Sequence, residues 1–175
     1  LERKLREELI YRGRILSLRR DEVILPHGGI AGREVVEHLP AVAVLPVLDG
    51  RVLLVRQFRY AVGEELLEVP AGLLKEGESP EECAVREMRE ETGYRPLSLK
   101  KVLTFYTSPG FSDEVVHLYF CDEMVEDPLP QDDDEGVTLS PFPIEDLRDG
   151  LRSGLFKDAK TILALSWLLT EVGRG

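Results

Sequence analysis

Residues Gly72 to Tyr94, GLLKEGESPEECAVREMREETGY, constrain the chain more than any other stretch. They dictate a loop, a helix and a stop, and they set a row of acids along the helix. Ser79 suits the N-cap, Pro80 the first helical position, and Glu82 the far end of a capping box. The residues from Pro80 to Thr92 favour helix, and Gly93 suits a left-handed C-terminal cap. At ~100° per residue, Ala84, Val85, Met88 and Thr92 share one stripe, expected to pack on a core. Glu87, Glu90 and Glu91 share the neighbouring stripe. Carboxylates at these spacings repel one another. Glu78, in the preceding loop, is positioned to fold back toward them, and Arg86 to neutralise or orient part of the cluster. Hard divalent cations would relieve the repulsion, since Mg²⁺ takes oxygen ligands and shares them with phosphate and water. A solvated acidic face is the plainer reading of such a charge run.

Composition narrows the remaining choices. A chain of 175 residues is one ordinary domain, or a domain with a small appendage. Its formal net charge of −11 argues against non-specific nucleic-acid binding, which needs basic surface. An anionic substrate must then be met locally, by metal ions and a few arginines. Two cysteines, Cys83 and Cys121, are too few for a disulfide framework, so a reducing cytoplasm is expected. No apolar run approaches membrane-spanning length. His27, His38 and His117 do not cluster in sequence and read as structural or surface residues. Trp167, among leucines at helical spacing, reads as core.

Along the chain, residues 7–12 and 15–25 read as paired strands around Gly13, and Arg33 to Leu39 as a third. Together they cannot bury both faces of a sheet alone. Ala41 to Leu48 and Val52 to Phe58 are apolar strands joined at Asp49-Gly50, a hairpin dipeptide. Further strands are expected at Glu65 to Val69, Lys101 to Tyr106, Val115 to Cys121 and Val137 to Phe142. Amphipathic helices are expected at Pro143 to Arg152 and Asp158 to Thr170, the latter with Ile162, Leu165, Leu168 and Leu169 as core. Between them lies an acidic loop, Glu126 to Gly136. Strands surrounding a few helices indicate an α/β (α+β) sandwich. Residues 1–39 are expected to be an N-terminal antiparallel strand segment, and 40–175 the main domain.

The segment opening this section fits G-x5-E-x7-R-E-U-x-E-E-x-G-U, U being a bulky apolar residue, at every defined position: Gly72, Glu78, Arg86, Glu87, Met88, Glu90, Glu91, Gly93 and Tyr94. It resembles the Nudix box, the signature of hydrolases that cleave a diphosphate linked to another group. That match outweighs the solvated-face reading. The flanks, Gln57-Phe58-Arg59, Glu68-Val69-Pro70-Ala71-Gly72, Ser108-Pro109-Gly110 and, more weakly, Asp158-Ala159-Lys160-Thr161, resemble the ADP-ribose pyrophosphatase branch. The resemblance spans about residues 7 to 170.

The resemblance implies a mixed sheet between helices and hydrolysis of ADP-ribose to AMP and ribose 5-phosphate, with another nucleoside diphosphate sugar as the alternative substrate. A nucleotide-sensing module without turnover belongs to a different class, and such modules commonly lose box carboxylates that are all present here. Two or three Mg²⁺ or Mn²⁺ ions are implied, with Glu87 and Glu91 as principal ligands, Glu90 assisting and the Ala71 carbonyl contributing. The general base is Glu135 of the acidic loop or Glu90 of the box. Arg59 and Arg56 are candidates to pair with phosphate or ribose oxygens, which suits guanidinium geometry. Glu68 is expected to edge the pocket, and Ser108, Pro109, Gly110 and Phe111 to wall the adenosine or ribose side. Tyr11 and Phe111 are better candidates than Trp167 for contact with a base. The same resemblance implies a homodimer built through residues 1–39.

Overall fold

The computed structural model describes residues 1–131 and 136–173. At the N terminus the pairing is local. β1 (Arg3–Arg12), β2 (Leu16–Ile24) and β3 (Ile30–His38) form a three-stranded antiparallel sheet in that order. β1 begins four residues earlier than its apolar pattern predicts. Arg3 to Glu7 are mostly charged, and cross-strand pairing with β2 extends the strand where patterning gives no signal. The turn after β2 needs Gly28, whose φ is +91°. β3 also holds the later turn 108–113: the Val36 amide donates to the Phe111 carbonyl (2.7 Å) and the His38 amide to Asp113 Oδ1 (2.8 Å). Leu1–Pro40 and Phe105–Val116 make up this compact unit.

The second unit comprises the described residues of Ala41–Thr104 and His117–Gly175. Its strands are β4 (Ala41–Leu48), β5 (Arg51–Arg59), β6 (Glu64–Glu68), β7 (Ala71–Leu73), β8 (Tyr94–Pro96), all but the last two residues of β9 (Lys100–Tyr106), all but the first two of β10 (Val115–Cys121), β11 (Met124–Glu126) and β12 (Thr138–Pro143). Its helices are α1 (Pro80–Thr92), α2 (Leu147–Ser153) and α3 (Ala159–Val172). The main sheet runs β12-β5-β4-β10-β9, with β6 paired to β5 and β7 to β4. β8 and β11 form a separate two-stranded ribbon.

β4 is buried from Ala41 through Pro46, as befits a strand covered on both faces. Val42 and Val44 pack with Cys83, Ala84 and Met88 of α1, together with Tyr119 and Cys121. Alternation then turns Ala43 and Leu45 to the opposite face, and α3, which also contacts β4, supplies buried Ala164, Leu165 and Leu168. The α/β sandwich expected from the sequence is therefore the observed class.

Three local expectations are corrected, and three short strands are added. The helix expected from Pro143 starts at Leu147, because Pro141 and Pro143 belong to β12, paired with Leu53 and Arg51, and a single 3-10 turn at Ile144–Asp146 intervenes. β12 is the edge of the sheet, where a residue without an N–H is tolerated. Ile162 is 37 % exposed, since the buried stripe of α3 is Thr161, Ala164, Leu165 and Leu168. Val85 is only half-buried, and Cys83 takes its place in the α1 core. The three-residue strands β7, β8 and β11 are too short to leave a pattern in sequence.

Candidate active site

The strip from Glu68 to Gly72 joins β6 to β7, and two helices hold it. Ala71 and Gly72 pair with Ala43 and Val42 of β4, and the Pro70 carbonyl accepts the Val44 amide at 2.9 Å. On one side stands α1. Its start is fixed as the sequence predicts: the Glu82 amide donates to Ser79 Oγ (3.3 Å) and the Ser79 amide to Glu82 Oε2 (2.8 Å). Gly93 ends it with φ of +79°. A Cβ at Gly72 would overlap the Glu87 carboxylate, so a side chain there would displace that group.

The carboxylates of α1 do not face open solvent. Glu87 and Glu91 are each 4 % exposed, and Glu90 is half-buried. Glu91 Oε2 accepts the Ala71 amide at 3.0 Å, which ties the helix to the strip. Arg86 is the hub. Its guanidinium donates to Glu78 Oε1 (2.8 Å) and Oε2 (2.9 Å), Glu87 Oε1 (2.5 Å), Glu90 Oε2 (2.9 Å) and the Leu73 carbonyl (3.0 Å). Glu78 has folded back from its loop and also accepts the Lys75 amide at 2.9 Å. The Arg86 bonds, aided by that amide, hold the Glu78 carboxyl down at about 2. The same bond pushes the Arg86 guanidinium further up. Burial drives the neighbouring Cys83 thiol upward, so it packs and does not react.

Three carboxylates, Glu78, Glu87 and Glu90, thus share one guanidinium, and Glu91 follows Glu90 on the same helix. The excess of acid in a mostly buried patch is a hard-oxygen donor set suited to divalent cations. Among the described residues, no three His, Cys, Asp or Glu side chains are already assembled as a metal cage. That is compatible with Mg²⁺, which binds through one or two carboxylates and fills its remaining positions with phosphate and water.

On the other side of the strip a second charged group assembles. Arg59, at the end of β5, donates from Nε to Glu68 Oε1 and from Nη2 to Glu68 Oε2, both at 2.7 Å. Lys160, in the first turn of α3, also donates to Glu68 Oε2 and lies 3.1 Å from Asp158 Oδ1. Burial pushes the Glu68 carboxyl up, but the two cations outweigh it and its pKa is lowered. Asp158 caps α3 by accepting the Thr161 amide (2.9 Å) and hydroxyl (2.6 Å), and Thr161 Oγ1 accepts the Val69 amide (2.9 Å).

Family models match almost the whole chain. The NUDIX domain matches residues 37–165 and the nucleoside diphosphate sugar hydrolase N-terminal domain residues 2–36. The chain belongs to the Nudix family. It is 41 % identical over 170 residues to an ADP-ribose pyrophosphatase of Bacillus subtilis, covering 95 % of this chain and 92 % of that one. It is 35 % identical, over the same shares, to a methanol dehydrogenase activator of Bacillus methanolicus. Among solved structures, an ADP compounds hydrolase superposes with a TM-score of 0.88 at 23 % identity, covering 99 % of this chain and 96 % of that one, which speaks to the fold. This Nudix hydrolase carries every defined position of the box, in a family that generally works with divalent metals.

Of the residues singled out in sequence, Ala71, Arg86, Glu87, Glu90 and Glu91 come together where β7 meets α1. Arg59 and Glu68 meet on the β5–β6 hairpin. Arg59 also lies in the field of Glu91, which brings the two groups within electrostatic reach. Glu68 is 1 % exposed and bonded to Arg59 and Lys160, so it does not itself face solvent as expected of a residue edging a pocket. Arg56 does not join them; it is exposed and lies 3.3 Å from Glu65. Ser108, Pro109, Gly110 and Phe111 form a turn in the other unit, where the Phe111 amide donates to the Ser108 carbonyl (3.1 Å) and the phenyl ring is exposed. Glu135 lies outside the described residues. Sequence reasoning assigned no role to Asp158, Lys160 or Thr161. Their signal was present in the DAKT tetrapeptide, but nothing local says that a lysine 92 positions away meets Glu68.

Proposed function

We propose that the chain hydrolyses the diphosphate of ADP-ribose to AMP and ribose 5-phosphate, using Mg²⁺ or Mn²⁺, two or three ions. The observation that carries this is the acid excess around Arg86, with Glu87 and Glu91 buried against the strip that holds Ala71. Glu87 and Glu91, with Glu90 and the Ala71 carbonyl, would hold the ions. When bound, such ions screen the diphosphate and acidify water. Arg86 keeps Glu87 and Glu90 oriented. Arg59, and Arg56 from the solvent side, pair with phosphate or ribose oxygens. Glu135 or Glu90 takes the proton from the attacking water, one P–O bond forms, and the bridging P–O bond breaks.

The Bacillus subtilis relative supports ADP-ribose as the substrate. A second reading, another nucleoside diphosphate sugar, is supported by the family model that matches residues 2–36. A product assay across ADP-ribose, other nucleotide sugars and nucleoside triphosphates, with and without Mg²⁺, tests both. ADP-ribose is expected to exceed any triphosphate in kcat/KM by at least ~10-fold. A triphosphate that proves the better substrate would overturn the reading.

Residues 1–39 are proposed to pair two copies of the chain, leaving 40–175 as the hydrolase domain. Leu5, Leu9, Ile10 and Tyr11 of β1 are exposed apolar residues on the edge strand of the three-stranded sheet, the kind of surface a partner covers. Light scattering at micromolar concentration should give twice the chain mass; a stable, active monomer would refute the dimer. No helix of the described residues is long and apolar enough to cross a membrane. The free thiols of Cys83 and Cys121 suit the cytoplasm.

A further inference from the structure

Arg59 is held for a reason that the metal helix does not supply. Its guanidinium has five N–H groups, and two of them are spent on Glu68. The side chain is 39 % exposed, so the remaining edge is open to an oxyanion. An arginine that binds a diphosphate well must keep that edge fixed before the substrate arrives. The fixing partner is a carboxylate with almost no water around it. A buried carboxylate is stable only when its oxygens are occupied by charge-assisted donors.

Arg59 occupies one position on each oxygen of Glu68, and Lys160 occupies a further position on Oε2. Lys160 in turn is steadied by Asp158, the residue that caps α3. Two cations and two anions make a neutral set, which can be buried as a unit. The next residue of α3, Thr161, holds the Val69 amide, so the first turn of α3 grips both Glu68 and its neighbour.

Resting on the reading of Arg59 as a contact to the diphosphate or ribose, we infer that Lys160 is a positioning residue: through Glu68 it fixes the substrate-facing edge of Arg59, making the first turn of α3 part of the binding machinery. Removing the ammonium leaves Glu68 Oε2 short of a donor in a buried setting. The carboxylate then shifts or takes up a proton, and in either case the guanidinium loses its fixed edge.

The test is a double-mutant cycle on the full chain with ADP-ribose. Lys160→Met is expected to raise KM by about 10-fold while kcat changes by less than about 3-fold, the pattern of lost uniform binding. Combined with Arg59→Met, it should cost nothing more in kcat/KM than Arg59→Met alone. Lys160→Arg, which keeps the charge and its donors, should recover most of the loss. A second readout needs no substrate. The Nε–H resonance of Arg59, assigned by its loss in Arg59→Met, should be protected from exchange in the wild type. It should become unprotected in Lys160→Met and protected again in Lys160→Arg. Additive losses in the cycle, or an unchanged resonance in Lys160→Met, overturn the inference. If Lys160→Met does not fold, Lys160→Gln makes the same comparison. If the wild type does not turn over ADP-ribose, the substrate reading fails, and the resonance alone decides the positioning role.

Discussion

Two charged groups flank the Glu68–Gly72 strip, and they are built on opposite principles. Around Arg59 and Lys160 the charges cancel: two cations meet Glu68 and Asp158, with the central carboxylate 1 % exposed. Around Arg86 they do not: three carboxylates share one guanidinium. A balanced set can be buried and left alone, because each desolvated charge has its partner. An unbalanced set stays under electrostatic stress, which divalent cations would relieve. The first group suits holding a side chain still, the second suits receiving metal and diphosphate. One short strip of backbone serves both.

The sharpest way to break the contrast is to remove acid from the unbalanced set. Glu87→Gln and Glu91→Gln should each lower kcat by at least ~10²-fold while the fold survives, with metal titration weakened in parallel. Near-normal turnover at saturating Mg²⁺ would mean that this cluster, too, is only a structural network.

A smaller effect separates the two candidate bases. Glu135→Gln should reduce kcat by about 10- to 100-fold with Mg²⁺ and ADP-ribose affinity kept within a few-fold. If Glu135→Gln stays active while Glu90→Gln loses the basic-limb pH dependence, the base belongs to α1 and not to the acidic loop.

The mildest change tests how much the hub contributes to stability. Glu78 is held at about 2 against an ordinary 4.5, so its contribution is complete above pH 4.5 and fades as pH falls toward 2. Glu78→Gln should therefore cost on the order of 2 kcal/mol at pH 7, or about 5 °C in Tm, measured in EDTA. The gap from wild type should close between pH 4.5 and pH 2. A gap independent of pH would show that Glu78 acts by packing rather than by charge.

Local rules made α1 legible from end to end. Its caps, its proline and its acidic stripe all depend on residues within four positions of one another, and each appears where the pattern predicts. The same holds for the β4–β5 hairpin at Asp49-Gly50, where both turn residues have positive φ. Burial of the acids was not legible. The helical wheel sets Glu87 and Glu91 beside the core stripe, yet the strand order brings β7 against them and closes them in. Pro141 and Pro143 read as breakers, because nothing local says that their strand lies at a sheet edge.

By itself the sequence determined the box and its helix, since capping, periodicity and charge spacing act over a single turn of chain, while the class of chemistry came with the resemblance that the box carries. Only the tertiary structure decided that Lys160 meets Glu68, that Arg86 gathers Glu78 together with Glu87 and Glu90, and that a side chain at Gly72 would displace the Glu87 carboxylate. Those contacts join strands and helices far apart in sequence. They exist because burying β4 on both faces brings α1 and α3 against the same sheet, and no property of the separate segments encodes that meeting.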